Sequence, residues 1–325
     1  MSLNPSPVFT GCAAALVTPF LPDGSIDQPA LRRLISIQIE ARADAIVLLG
    51  TTGEPSTLTM KERELVIRTG TETIANKIPL IIGTGSNDTK KAVEYARQAK
   101  ELGANAQLTV TPYYNKTTQA GLIRHYNMIM DSCELPLIAY NVPGRTGLSL
   151  HADTIMTLTE HPNFSGIKEA SGNTELTTQI LERTQQTLPV YSGCDELILP
   201  LMSLGASGAI SVCANCAPSR TQQLTKACLE GDFHSARLMQ MKLMPLIRAL
   251  FAQVNPIPVK AALSLMGLIH NQLRLPLTPL EEPYRDKLRQ VLIDCELIPD
   301  SGHAHTHKNQ NHQLNWWFDS APRRG

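Results

Sequence analysis

Residues 163–173 read NFSGIKEASGN. Ile167 sits among small and apolar residues, as in a short buried strand. Lys168 follows at once, then Glu169 and Ala170. Ser171-Gly172-Asn173 reads as a turn leading into a helix cap. A lysine therefore stands at the C-terminal end of a buried strand, just before a helix. Most lysines are solvated surface residues, so this placement needs a reason.

The same strand–turn–helix unit recurs outward in both directions. Short apolar runs occur at 12–20 (CAAALVTPF), 45–50 (AIVLLG), 79–85 (PLIIGTG), 106–112 (AQLTVTP), 136–143 (PLIAYNVP), 164–170 (FSGIKEA), 189–195 (PVYSGCD) and 207–213 (SGAISVC). They show little alternation, which suits strands buried on both faces, as in a parallel sheet. Amphipathic stretches lie between them, for example 59–76 and 88–104. In the second, Ala92, Val93, Ala96, Ala99 and Leu102 share one face, with Lys90, Glu94, Arg97, Lys100 and Glu101 away from it. Eight such units predict an α/β fold, a (β/α)8 TIM barrel, over residues 8–230. A doubly wound sheet is the alternative. It would usually carry a GxGxxG turn after the first strand, and none is present; GTGSN after the third resembles one only superficially.

Residues 231–298 change character and predict a C-terminal appendix of three helices without strands. Residues 299–325 form a tail with four of the nine histidines and both tryptophans, expected to be disordered.

The chain has 325 residues, 42% of them hydrophobic, and 29 basic against 29 acidic side chains. That balance disfavours nucleic-acid or anionic-membrane partners. The N-terminus lacks a signal-peptide pattern, and no apolar run approaches the roughly 18 residues of a membrane span. A cytoplasmic protein is the expectation. The seven cysteines have no disulfide-framework spacing, and Cys213 and Cys216 lack the context of a redox or zinc site. No metal or cofactor is expected.

In a barrel the strand C-termini face the active site. Those ends supply Thr18 and Pro19, the turn Gly50-Thr51-Thr52-Gly53-Glu54, Tyr113 and Tyr114, Tyr140 with Asn141, then Arg145, Lys168, Gly193 and Ile210. A lysine, tyrosines, threonines and an arginine fit carbonyl chemistry through an imine. Partial burial favours the neutral amine, which attacks a ketone and forms a Schiff base. Each step moves a proton, so a hydroxyl relay is needed; Tyr140, one strand away, suits it, with Thr51 as a bridge. The Gly-rich turn offers hydroxyls and backbone N–H groups to a small carboxylate. Taken singly, Tyr140 fits a strand tyrosine, the threonines ordinary turn residues, and Arg145 a surface loop. Their joint occurrence at successive strand ends favours chemistry.

At these residues the sequence resembles a known family. GTTGEPSTL, GTGSN, TVTPYYN, YNVPGRTG, GIKEASGN and NPIPVKAAL look like the dihydrodipicolinate synthases, of the lysine-dependent class I aldolase group. The resemblance covers roughly residues 8–297. It implies a lyase of lysine and diaminopimelate biosynthesis, a homotetramer built as a dimer of dimers. Its substrates would be pyruvate and L-aspartate 4-semialdehyde. It further implies that Lys168 forms the imine, Tyr140 shuttles protons, and Thr51 relays to Tyr114, which reaches the neighbouring subunit's site. Thr52 would hold the pyruvate carboxylate, Arg145 the semialdehyde carboxylate, and the Ile210 backbone would line the pocket. The alternatives are a lyase acting on N-acetylneuraminate or a 2-keto-3-deoxy sugar acid, and a non-catalytic keto-acid-binding paralogue. Arg145 and the Thr51–Tyr114 pair favour the synthase.

Many relatives are inhibited by lysine at a dimer-interface cleft, here matched to Pro55, Arg63, Asn87, Lys91 and Tyr113. Lysine-sensitive members usually carry an acidic residue where Lys91 stands, and His or Glu where Arg63 stands. A cation there repels the ligand's ammonium, so the cleft is expected to be insensitive to lysine.

Overall fold

The buried apolar runs form eight strands: β1 (Gly11–Ala15), β2 (Ala45–Leu48), β3 (Leu80–Gly83), β4 (Ala106–Val110), β5 (Leu137–Asn141), β6 (Phe164–Glu169), β7 (Val190–Ser192) and β8 (Gly208–Ser211). In the computed structural model, which describes residues 7–300, they pair in sequence order into a closed parallel barrel. Residues 301–325 of the expected tail lie outside the described residues. The barrel closes where β1 meets β8. There Gly208 has φ 157°, and a Cβ on it would sit 2.0 Å from the Gly11 carbonyl oxygen, so only glycine fits.

The connecting helices are α1 (Gln28–Glu40), α2 (Met60–Ile74), α3 (Thr89–Glu101), α4 (Gln119–Asp131), the single turn α5 (Pro143–Thr146), α6 (Ala152–Leu158), α7 (Thr174–Arg183), α8 (Ile198–Ser203) and α9 (Pro218–Leu229). Their starts follow from capping chemistry. Thr59 and Glu62 form a reciprocal capping box on α2. Asn173 Oδ1 accepts the Leu176 N–H at 3.1 Å, so the expected turn and cap after Lys168 are present. Ala92, Ala96 and Ala99 bury the inner face of α3.

Inside the barrel, alternate residues of the strands interdigitate: Ala13, Val47, Ile81, Leu108, Ile138, Tyr191 and Ile210. Phe9, just ahead of β1, stacks on Tyr191 with centroids 4.3 Å apart and accepts its hydroxyl at 2.8 Å, filling the N-terminal end. At the C-terminal end, β5, β6, β7 and β8 finish on polar residues, Asn141, Glu169, Ser192 and Ser211.

Three further helices follow, α10 (Phe233–Leu250), α11 (Ile257–Leu265) and α12 (Glu282–Asp294). α10 packs on α9 and α12, and residues on either side of α11 reach the barrel mouth, as described below. No helix among the described residues is long and apolar enough to cross a membrane.

The run at 189–195 yields only a three-residue strand, β7. The reason lies in Asp195, whose buried Oδ2 accepts the Val212 and Cys213 N–H groups at 3.1 and 2.8 Å. Gly193 still donates its N–H to the Glu169 carbonyl at 2.7 Å, and the hook, made to the segment just past β8, takes the chain out of the sheet beyond it.

Candidate active site

The register of β5 and β6 sets Tyr140 beside Lys168 as direct partners, and β7 sets Tyr191 on the other side. Both Lys168 and Tyr140 point into the barrel mouth, 5% and 7% exposed. The Lys168 Nζ lies 4.3 Å from the Tyr140 ring centroid. Burial pulls the Lys168 pKa down to about 8; the nearby Asp195 and Cys194 oppose that fall, and Arg145 adds to it. Burial likewise pushes Tyr140 up to about 12, while Arg145 and a hydrogen bond with the Thr51 side chain hold it down. The amine is thus closer to neutral than an ordinary lysine, and its neighbour is a phenol that keeps its proton.

Thr51 and Thr52 lie on a single 3-10 turn, Thr51–Gly53, after β2. Left-handed residues bracket the turn, Leu49 at φ 58° and Glu54 at φ 51°. The Thr18 hydroxyl donates to the Gly53 carbonyl at 2.7 Å. Thr52 is buried, and its hydroxyl accepts from Asn255 Nδ2 at 3.0 Å. Arg145, on the exposed turn α5, donates to the Asn255 carbonyl at 3.1 Å. Asn255 therefore touches both groups to which the family resemblance assigns a substrate carboxylate. Ile210 is buried in β8 beside Ala13.

The structure brings Lys168, Tyr140 and Thr51 together, with Thr52 and Arg145 joined through Asn255. Tyr114 is different. It is 92% exposed, with φ 69°, in the loop after β4. A bulky side chain in that conformation is unusual, and this one is directed away from its own barrel.

Of the residues matched to the lysine cleft by resemblance, Pro55, Asn87 and Tyr113 are half-buried and Lys91 is exposed on α3. Arg63 is buried: its guanidinium donates to the Gly83 carbonyl at 2.7 Å and lies 3.9 Å from the Tyr95 ring centroid. Its charge is used within its own chain, and burial lowers its pKa to about 10.

Sequence reasoning gave no role to Cys194, Asp195, Asn255, Glu54 or Lys260. A signal existed for Asp195, a carboxylate just past the seventh strand run. Asn255 lies in NPIPVKAAL, where nothing local indicates that its amide crosses to Thr52. Cys213 and Cys216 are free, buried thiols, and burial raises both well above the ordinary range.

Comparison with known proteins accords with this geometry. The family model described as the dihydrodipicolinate synthetase family matches residues 8–294. A 4-hydroxy-tetrahydrodipicolinate synthase of Alkaliphilus oremlandii is 47% identical over 291 residues, covering 90% of this chain and 100% of that protein. Among solved structures, a chloride-inhibited dihydrodipicolinate synthase from Acinetobacter baumannii complexed with pyruvate is 47% identical, with a TM-score of 0.88, covering 89% of this chain and 99% of that one. A dihydrodipicolinate synthase from Cyanidioschyzon merolae with lysine bound is 38% identical, with a TM-score of 0.87, covering 90% of this chain and 100% of that one. The chain belongs to the dihydrodipicolinate synthetase family.

Proposed function

We propose that this chain condenses pyruvate with L-aspartate 4-semialdehyde to give 4-hydroxy-tetrahydrodipicolinate, with Lys168 as the imine-forming amine. The observation that carries this reading is the buried Lys168, lowered to about 8, in direct strand register with Tyr140. Neutral Lys168 attacks the pyruvate ketone carbon, and water leaves as the imine forms. A methyl proton is then lost, giving an enamine whose terminal carbon bonds to the aldehyde carbon of the second substrate. That substrate's amine attacks the imine carbon, closes the ring and releases Lys168. Tyr140, protonated at rest, donates a proton to the departing hydroxyl and regains one later, with Thr51 as its hydrogen-bond partner. Thr52 and the turn N–H groups hold the keto-acid carboxylate, and Arg145 holds that of the semialdehyde. Borohydride trapping with pyruvate tests the imine. A coupled assay comparing the semialdehyde with N-acetylneuraminate and 2-keto-3-deoxy sugar acids tests the substrate, and preferential turnover of a sugar acid would overturn it.

Arg145→Ala should spare pyruvate trapping and weaken semialdehyde use. Losing a charge-assisted hydrogen bond costs about 1.5–3 kcal/mol, or roughly one to two decades in kcat/KM. Removing Arg145 also lets the Lys168 pKa rise, so trapping is best compared at alkaline pH, where the amine is neutral in both proteins. Equal loss of trapping there would contradict the assignment.

The cleft beside Lys91 is proposed to respond weakly or not at all to L-lysine. Lys91 is an exposed cation where an attractive carboxylate would be needed, and Arg63 is committed to Gly83 and Tyr95. Initial rates at saturating pyruvate should stay near the uninhibited value as L-lysine rises into the millimolar range. Half-inhibition well below that range would show that the ligand finds another acid.

A further inference from the structure

Glu54 and Lys260 form an ion pair that the chemistry above does not use. Glu54 is 3% exposed and Lys260 0%. Lys260 Nζ lies 2.5 Å from Glu54 Oε1, across 206 residues of sequence. The other oxygen, Oε2, accepts the Arg274 backbone N–H at 3.1 Å. The ammonium also sits 4.1 Å from the Phe20 ring centroid. Burial lowers Lys260 to about 8, while Glu54 holds it up.

An apolar pair of similar volume usually serves stability as well as a buried ion pair does, so the pair's location is more informative than its strength. Glu54 ends the turn that carries Thr51 and Thr52, in a left-handed conformation, φ 51°, that a long side chain disfavours. Glycine or asparagine would fit that backbone more easily. Such a conformation persists where surrounding contacts over-determine it. Here the ties are Thr18 on Gly53, Asn255 on Thr52, and Lys260 with Arg274 on Glu54. Three of these four partners belong to the C-terminal segment, with Lys260 on α11.

We propose that the Glu54–Lys260 pair is a positioning device through which the C-terminal helical segment sets pyruvate affinity. It fixes the left-handed turn, so that Thr52 stays at the keto-acid carboxylate and Thr51 stays on Tyr140. The inference rests on the reading of Thr52 given above. Losing the pair therefore loosens the keto-acid site at the Glu54 end of the turn, while Arg145 keeps its own bond to the Asn255 carbonyl.

Steady-state kinetics on full-length Lys260→Met and on Glu54→Gln/Lys260→Met test it, with Thr52→Val as the reference. The double variant removes both buried charges and keeps the experiment decisive where the single variant does not fold. The expected result is a rise of about tenfold or more in KM for pyruvate, with KM for the semialdehyde within about twofold of wild type. A folded double variant with a lower Tm and both KM values unchanged would reduce the pair to a structural role and overturn the proposal. Thr52→Val separates the two failures. If it leaves KM for pyruvate unchanged, the reading of Thr52 is wrong; if it raises KM while the pair variants do not, the positioning role is wrong.

Discussion

Lys168→Ala should leave no pyruvate-derived adduct after borohydride reduction and lower kcat/KM by at least about a thousandfold, roughly 4 kcal/mol of transition-state stabilisation. The size of the loss follows from covalent catalysis: without the amine, neither the imine nor the enamine exists, and Tyr140 and Thr51 have no intermediate on which to act. The lowered pKa of Lys168 also predicts a pH profile. With a pKa of about 8, about one Lys168 in eleven is neutral at pH 7, against about one in three thousand for a lysine at the ordinary value. A group lowered by burial is protonated below its pKa, so kcat/KM for pyruvate should climb as pH rises and level off above about 8. Mass spectrometry after reduction locates the adduct, and a pyruvate-sized addition persisting on another lysine in Lys168→Ala would sink the assignment. A profile still rising steeply toward the ordinary lysine range would show that burial does not neutralise this amine.

The strands were legible because burial on both faces leaves uninterrupted apolar runs, and parallel neighbours demand a helix between them. Lys168 was legible because a charge at the end of such a run contradicts its surroundings. Harder to see was where each run stops. At 189–195 the strand ends early because the Asp195 carboxylate captures two backbone N–H groups of the next segment, and no periodicity records such a bond. The long-range ties were equally hidden. Asn255 meets Thr52 across 203 residues and Lys260 meets Glu54 across 206. Each is an ordinary polar residue in its local window, and only barrel closure brings the C-terminal segment over the β2 turn. The same limit applies to Arg63. Its place on a helix could be read from pattern, but its burial against the Gly83 carbonyl and the Tyr95 ring depends on how α2 and α3 sit around the barrel.

A Tyr114→Phe chain and a Lys168→Ala chain, each nearly inactive alone, should regain activity when mixed under conditions that exchange subunits. The ground is geometric. Tyr114 is 92% exposed, and its left-handed backbone, φ 69°, holds the ring outside its own barrel. An aromatic ring kept in a strained conformation in open solvent loses burial and gains nothing, unless a second copy of the chain receives it. If the hydroxyl completes the Thr51–Tyr140 relay of a partner, the good lysine and the good tyrosine need not lie on the same chain. In a mixed dimer, the site of the Tyr114→Phe chain keeps Lys168 and receives an intact Tyr114 from its partner. The other site lacks both groups. At equal chain concentrations half the dimers are mixed and each has one competent site of two, so recovery should approach roughly a quarter of wild-type activity. A tyrosine acting within its own chain gives a different result, because no combination of these two chains then places both groups in one site. Proven subunit exchange, read by mass spectrometry of the mixed species, with no recovered turnover would therefore assign Tyr114 to its own barrel and require the exposed loop to fold back.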